Sequence, residues 1–181
     1  MISLFIVFIL FLFCFGIREV FFRPNYPIAF EKEVSLASET FGVDPSIIYS
    51  VIYCESSFDK DALSNMGAVG LMQLLPDTME WLCTRDGVEY NEEYLYNPEK
   101  NIYYGAMFLS ILYEKYKSWE ATFAAYHAGH TRVDNWIEKG QAVILADGSF
   151  KGIPISATEV YVEKIVKTRN EYIKILEKKD K

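Results

Sequence analysis

The sequence predicts a mainly α-helical single domain of about seven helices. A small β-hairpin is expected near residues 143–153, and one N-terminal transmembrane helix precedes the whole. Three observations predict this. Segments that open on a cap residue followed by proline, or close on glycine, recur along the chain. Apolar residues inside them step by three and four positions. The first 22 residues, finally, differ in composition from everything after them. The 181 residues match one ordinary domain. At 51% hydrophobic and 24% charged, the chain is neither disordered nor collagen-like. Acidic side chains number 25 against 18 basic, for a formal net charge of −7. That excludes a nucleic-acid binder, which needs a concentrated basic surface, and gives no reason to expect a polybasic membrane-binding face.

The stretch from Ile2 to Ile17, ISLFIVFILFLFCFGI, carries no charge. As a helix it rises roughly 24 Å, and extension through Val20, Phe21 and Phe22 reaches the ~30 Å of a hydrocarbon core. A cleaved signal would show a basic start and a small-residue cleavage site. Here the start is Met-Ile-Ser and no A-x-A follows. Phe11, Leu12 and Phe13 are too bulky ahead of Cys14 for a lipoprotein signal. Residues 1–22 are therefore expected to be an uncleaved anchor, 23–30 (RPNYPIAF) a linker, and 31–181 the body. Arg18 and Arg23 follow the anchor, which by the positive-inside rule favours a cytoplasmic body, although Glu19 weakens that signal. The three cysteines, Cys14, Cys54 and Cys83, form neither a disulfide framework nor a C-x-x-C site. Cys54 and Cys83 read as small buried residues.

Within the body, a first helix over 31–41 stops at Gly42. Asp44-Pro45 opens the second, with Ile47, Ile48, Val51 and Ile52 as its apolar stripe. Residues 56–69 are polar and glycine-bearing, a loop. The apolar stretch Leu71–Leu75 leads to Pro76 and a helix through about Arg85. Asn97-Pro98 starts the next, with Ile102, Ala106, Leu109, Tyr113 and Tyr116 on one side. Ser118 caps another that ends at Gly129, with Glu120 in its first turn. Val133, Trp136 and Ile137 mark a short helix ending at Gly140. Asp147-Gly148 between short apolar runs gives the hairpin. Ser156-Ala157-Thr158-Glu159 fits a capping box for a terminal helix, with Tyr161, Ile165, Thr168, Tyr172 and Ile175 on one face.

One residue breaks the pattern. Glu55 continues the stripe of Ile48, Val51 and Ile52 on the second helix, so a carboxyl shares the apolar side. A carboxyl withdrawn from water keeps its proton to higher pH, as a general acid for glycosidic cleavage requires. On spacing alone, a helix-end Glu that turns outward and does nothing is the better reading.

The residues around it form an ordered set. Glu55-Ser56 is followed by Ser64-Asn65-Met66-Gly67-Ala68-Val69-Gly70-Leu71-Met72-Gln73. Then come Asn101-Ile102 with Gly105, and Ala124-Ala125-Tyr126-His127-Ala128-Gly129. Taken in order, E-S, G-L-M-Q and A-A-Y-x-A-G resemble the catalytic domain of the Slt-type lytic transglycosylases, the lysozyme-like family 23 of glycoside hydrolases, over about residues 31–175. The resemblance implies a lysozyme-like fold and cleavage of the peptidoglycan glycan strand between N-acetylmuramic acid and N-acetylglucosamine. It implies that Glu55 is the only catalytic carboxylate, first acid and then base, with the muramic 6-hydroxyl closing on C1 to give a 1,6-anhydro end. The usual pair of carboxylates is then unnecessary. Asp59 and Asp61 read as solvated loop acids.

By the same resemblance Ser64, Met72, Gln73, Tyr126, His127 and Tyr161 are the expected substrate-binding residues. Met72 would be part groove wall and part core, and Tyr126 would set its hydroxyl beside Glu55. Asn101 is an expected structural hydrogen-bonder. Gly67 and Gly70 would let backbone approach the sugar. No cofactor or metal is implied, and a monomer tethered to the membrane outside the cell is expected. Two positions depart from the family pattern. His127 stands where an Asn is usual. In the late motif Pro154, Thr158 and Tyr161 match, but Ala157 replaces a Glu.

The enzyme rival is a goose-type hydrolytic lysozyme, and the rival from another class is an inactive wall-binding protein. A thiol protease built on Cys54, His127 and His130 is disfavoured, because Cys54 points about 100° away from Glu55 around the helix. A metal site at His127, His130 and Asp134 is disfavoured by the Ala128-Gly129 helix end between the only two histidines.

Overall fold

The computed structural model describes residues 25–179. Seven α-helices, one 3-10 turn and one two-stranded hairpin make up the described residues. Helix α1 (Glu31–Phe41) ends at Gly42 with φ 65°. Helix α2 (Pro45–Ser56) starts where Asp44 accepts the Ser46 N–H at 2.8 Å. Helix α3 (Pro76–Asp86) stops at Gly87, and a 3-10 turn spans Glu92–Leu95. Asn97 caps α4 (Pro98–Tyr116), accepting the Lys100 N–H at 3.0 Å. Ser118 caps α5 (Trp119–Ala128), and α6 (His130–Glu138) follows at once. The hairpin strands β1 (Val143–Ile144) and β2 (Phe150–Lys151) pair Val143 with Lys151 and Ile144 with Phe150. Helix α7 (Ser156–Lys179) closes the body. The caps placed in the sequence at Asp44, Asn97 and Ser118 thus all do the work expected of a side-chain acceptor at a helix start.

Helix α2 is the axis of the larger core. Ile47, Ile48, Tyr49, Val51 and Ile52 are all buried, so the helix is covered on every side rather than along a stripe. It packs along α7 and against α1, while α5 lies against α4 and α7. A second, smaller core gathers Val69, Leu74, Met79, Leu82, Cys83, Leu95 and Tyr104 under α3 and the 3-10 turn. Phe108 and Tyr126 press on both cores.

The turn between them, residues 69–73, is held by one side chain. Asn101 is fully buried. Its Oδ1 accepts the Met72 N–H at 2.7 Å, and its Nδ2 donates to the carbonyls of Val69 at 3.1 Å and Leu95 at 2.8 Å. Gly70 fits there because φ is +82° and a Cβ would lie 2.2 Å from the Leu95 oxygen. The hairpin is tied to the start of α5: Ser118 Oγ donates to the Gly148 carbonyl, and Glu120 accepts the Phe150 N–H at 2.8 Å.

Several expectations need correction. The first carbonyl of α7 to accept intrahelical bonds is that of Ile155, from Thr158 at 3.0 Å and Glu159 at 3.1 Å, so Ser156 already lies in the helix and the capping box does not form. Thr158 is buried instead, turned toward α5. On α4, Leu112 rather than Tyr113 is buried, and Tyr113 stacks on Trp119 at 4.2 Å. Residues 25–30 lack regular structure but are not a free linker: Tyr26 packs on Tyr53 at 5.0 Å, and the Pro27 carbonyl accepts the Tyr172 hydroxyl at 3.1 Å. The anchor expected over residues 1–22 lies outside the described residues, among which no helix is long and apolar enough to cross a membrane.

Replacement of Asn101 by Ala leaves the Met72 N–H and the Leu95 carbonyl unpaired in a buried site, and leaves the Val69 carbonyl with the Leu74 N–H alone. It is expected to cost about 3 kcal/mol or more, read as a lower midpoint in urea unfolding.

Candidate active site

Glu55 occupies the last turn of α2, two residues before the αL residue Ser57, φ 52°. The helix end is fastened to the 69–73 turn by Ser56, whose Oγ donates to the Leu71 carbonyl at 2.8 Å. Tyr161, buried on α7, donates its hydroxyl to Glu55 Oε1. Burial pushes the Glu55 carboxyl up to about 7, against the opposing pull of the Tyr161 hydrogen bond and the Lys164 ammonium. The carboxyl is therefore a proton donor or a base near neutrality, according to small changes around it.

Beside it lies a cavity of about 270 Å³ whose lining includes Glu55, Ser64, Gln73, Phe108, Tyr126 and His127. It sits at the seam of the two cores. Thr78 and Phe108 also line a second trough of about 430 Å³ that continues past Trp81 and Lys115.

Ser64, Gln73, Tyr126 and His127 thus come together around Glu55. Ser64 accepts the Ala68 N–H through its hydroxyl at 3.0 Å, within a tight turn closed by the Ser64 N–H to the Ala68 carbonyl at 2.9 Å. Gln73 adopts φ 48° and donates its amide N–H groups to the carbonyls of Ala62 and Gly70, both at 3.0 Å. Gln73 lines the cavity, and its side-chain oxygen accepts no hydrogen bond among the described residues. Tyr126 donates to the Met72 carbonyl at 2.7 Å, which fixes the ring as a wall. Burial and the nearby Glu55 charge push its phenol well above the usual range, so it stays neutral.

Two expected binders lie elsewhere. The Met72 side chain is fully buried against Gly105, where a Cβ would lie 2.3 Å from the Met72 Sδ, and its N–H and carbonyl are taken by Asn101 and Tyr126. Tyr161 is not among the cavity-lining residues, and its hydroxyl is directed to Glu55. His127 lines the cavity and lies against Tyr161, ring centroids 4.4 Å apart, with Nδ1 3.2 Å from Thr158 Oγ1. Burial and Arg132 hold its imidazole below the ordinary range.

The rival centres are not assembled. Burial pushes the Cys54 thiol up, the wrong direction for a nucleophile. Asp134 accepts the Tyr116 hydroxyl at 2.9 Å and pairs with Lys115. Asp61 is exposed and paired with Lys60 at 2.7 Å. Phe108 and Thr78 were not expected at the site. The signal for Phe108 was present: it is a large apolar residue off the 102–106–109 stripe of α4.

Residues 34–144 match the family model described as the transglycosylase SLT domain. Over 182 residues the chain is 29% identical to membrane-bound lytic murein transglycosylase C of Actinobacillus pleuropneumoniae, covering 88% of this chain and 48% of that protein. Over 105 residues it is 34% identical to a transglycosylase of Enterobacteria phage PRD1, covering 58% of this chain and 36% of that one. The fold is similar to an inactive mutant of lytic transglycosylase Slt from Pseudomonas aeruginosa, with TM-score 0.75 and 28% identity over 84% of this chain and 25% of that chain. The chain thus spans less than half the length of each of these relatives.

The raised carboxyl has a thermodynamic signature. The folded protein keeps the Glu55 proton up to about 7, whereas the unfolded chain releases it near 4.5. The folded state therefore loses stability as pH rises through that window. Glu55→Gln removes the carboxylate, so the melting temperature of the variant relative to wild type is expected to rise between about pH 5 and about pH 8. Parallel melting curves check this.

Proposed function

The chain belongs to the family of the transglycosylase SLT domain, and from that premise we propose that it is a peptidoglycan lytic transglycosylase acting through Glu55. The observation that carries the proposal is a partly buried carboxyl, its pKa raised to about 7, that is the single acidic residue lining the cavity between the two cores.

Glu55 gives its proton to the oxygen joining N-acetylmuramic acid to N-acetylglucosamine, and the C1–O bond breaks as positive charge develops at C1. The carboxylate so formed takes the proton of the muramic 6-hydroxyl. That oxygen bonds to C1 and closes a 1,6-anhydro ring, leaving Glu55 protonated for the next cycle. No water is consumed and no cofactor is called for. A second carboxylate has no task, because the substrate supplies the nucleophile; Asp59 and Asp61 lie exposed in the loop after α2. Tyr161 stabilises the ionised stage by donating to the carboxylate.

Ser64, the Gln73 side-chain oxygen and His127 bind the sugar's polar groups. Tyr126 and Phe108 supply the apolar wall, and Met72 contributes by holding the Tyr126 hydroxyl with its carbonyl. Residues 1–22 form a single-pass anchor and the body works on the extracytoplasmic side, where the wall lies. The membrane-bound name of the Actinobacillus relative supports this, whereas Arg18 and Arg23 weigh against it. The body functions as a monomer.

Glu55→Gln is expected to lower the release of fragments from purified peptidoglycan by about a thousandfold or more, with the circular dichroism of the fold retained. Activity of the wild type is expected to fall as pH rises through about 7, as the acid loses its proton. Mass spectrometry of the products tests the bond chemistry: ends one water lighter than reducing sugars support the proposal, and reducing ends would identify a hydrolase.

A further inference from the structure

We propose that His127 is a positioning residue that clamps the Tyr161 ring so that its hydroxyl stays on Glu55. The inference rests on the role given to Glu55 above but concerns a different question, what holds the donor in place.

The clamp has two points. The His127 ring lies against the Tyr161 ring with centroids 4.4 Å apart and planes 28° apart. Its Nδ1 meets Thr158 Oγ1 at 3.2 Å. Thr158 and Tyr161 are three residues apart on α7 and so share one side of that helix, a single turn apart. His127, the next-to-last residue of α5, therefore grips α7 at both. Thr158 is 1% exposed and cannot touch a ligand. Its hydroxyl fixes the imidazole plane, and the imidazole in turn limits the rotamer of Tyr161. From there the phenol reaches Glu55 Oε1.

Ala157 is exposed and carries no group that could reach back to α5, so the grip on this turn of α7 falls to His127 and Thr158. Near neutrality the imidazole is uncharged, because burial and Arg132 of α6 disfavour its cation. Lys164 and Tyr161 of α7 act on the Glu55 carboxyl, and the Cys54 thiol of α2 and the Tyr126 phenol of α5 feel its charge. Of these, Tyr161 is the one in contact with His127. A loosened clamp withdraws a hydrogen bond that lowers the carboxyl's pKa, so the carboxyl must then titrate at higher pH.

The test uses variants that separate clamping from sugar contact. Thr158→Val keeps the shape but removes the hydroxyl, outside the cavity. His127→Phe keeps the ring contact but removes Nδ1. His127→Ala removes both. Expected kcat falls by about threefold for the first two and by about tenfold or more for the third, with the basic limb of the pH profile moving upward in the same order. KM is expected to stay within about twofold in Thr158→Val. In a Tyr161→Phe background, which lacks the donor, His127→Ala is expected to give no further movement of the limb.

The Glu55 carboxyl titration, followed by NMR, gives the same readout without turnover. It separates failure of the clamp from failure of the proposed reaction. Should Thr158→Val not fold, the two His127 variants carry the test by themselves. The proposal is overturned if the titration and the limb stay at their wild-type positions in all three variants. It is equally overturned if His127→Ala changes KM alone, which would make His127 a sugar contact only.

Discussion

A carboxyl held partly out of water at the end of a helix that is buried on every side is the constraint on which the rest depends. Helix α2 can be covered all round because Ile47, Ile48, Val51 and Ile52 are apolar and the hydroxyls of Ser46 and Ser50 are bonded within the helix start, to Asp44 and the Ser46 carbonyl, and the helix then delivers Glu55 to a place where the covering stops. Burial there raises the cost of ionising the group, and the Tyr161 hydroxyl and Lys164 offset part of that cost. The group ends poised between its two forms. An acid that must also serve as a base needs that balance, and a more deeply buried or a better-paired carboxyl would lose one role or the other.

The second element is the turn at residues 69–73, which makes the cavity possible. The Met72 N–H and the Leu95 carbonyl have no backbone partner here, and Asn101 satisfies both from α4 while adding a second donor to the Val69 carbonyl, which also takes the Leu74 N–H. The Met72 carbonyl, left over, accepts from Tyr126. Polar backbone is thus used up internally, and what remains toward the cavity is a small number of side-chain groups: the Glu55 carboxyl, the Gln73 oxygen and the Ser64 hydroxyl. The positive φ of Gln73 is part of the same economy, since it lets the amide N–H groups turn back onto the loop.

Much of this was legible beforehand. Proline at the first helical position after Asp44 and Asn97, glycine after Phe41, and the stripe through Val51 and Ile52 are local rules that depend on a few neighbours. They placed the helices and put Glu55 on an apolar side. What was not legible depends on contacts between distant segments. The resemblance made Met72 part groove wall and part core, and Gly105, 33 positions on, gives its side chain a slot in the core. Ser156 and Glu159 had a plausible local use in a capping box, but the helix begins one residue earlier, with Ile155 accepting its first bonds. Tyr161 was noticed as part of a motif, yet nothing in its spacing could say that its hydroxyl points at a carboxyl 106 residues earlier. The same holds for Phe108, whose position between two cores exists only once both have formed.

Those two cores give the molecule a mechanical property. Phe108 and Tyr126 belong to the walls of the cavity and also to the packing of each core, their rings 5.3 Å apart. The width of the trough cannot change without shifting these rings against one neighbour or the other. A polymer laid along the trough touches both halves at once and so acts as a brace across the joint. Prying the halves apart then requires breaking its contacts as well, so that an occupied molecule resists local opening more than an empty one.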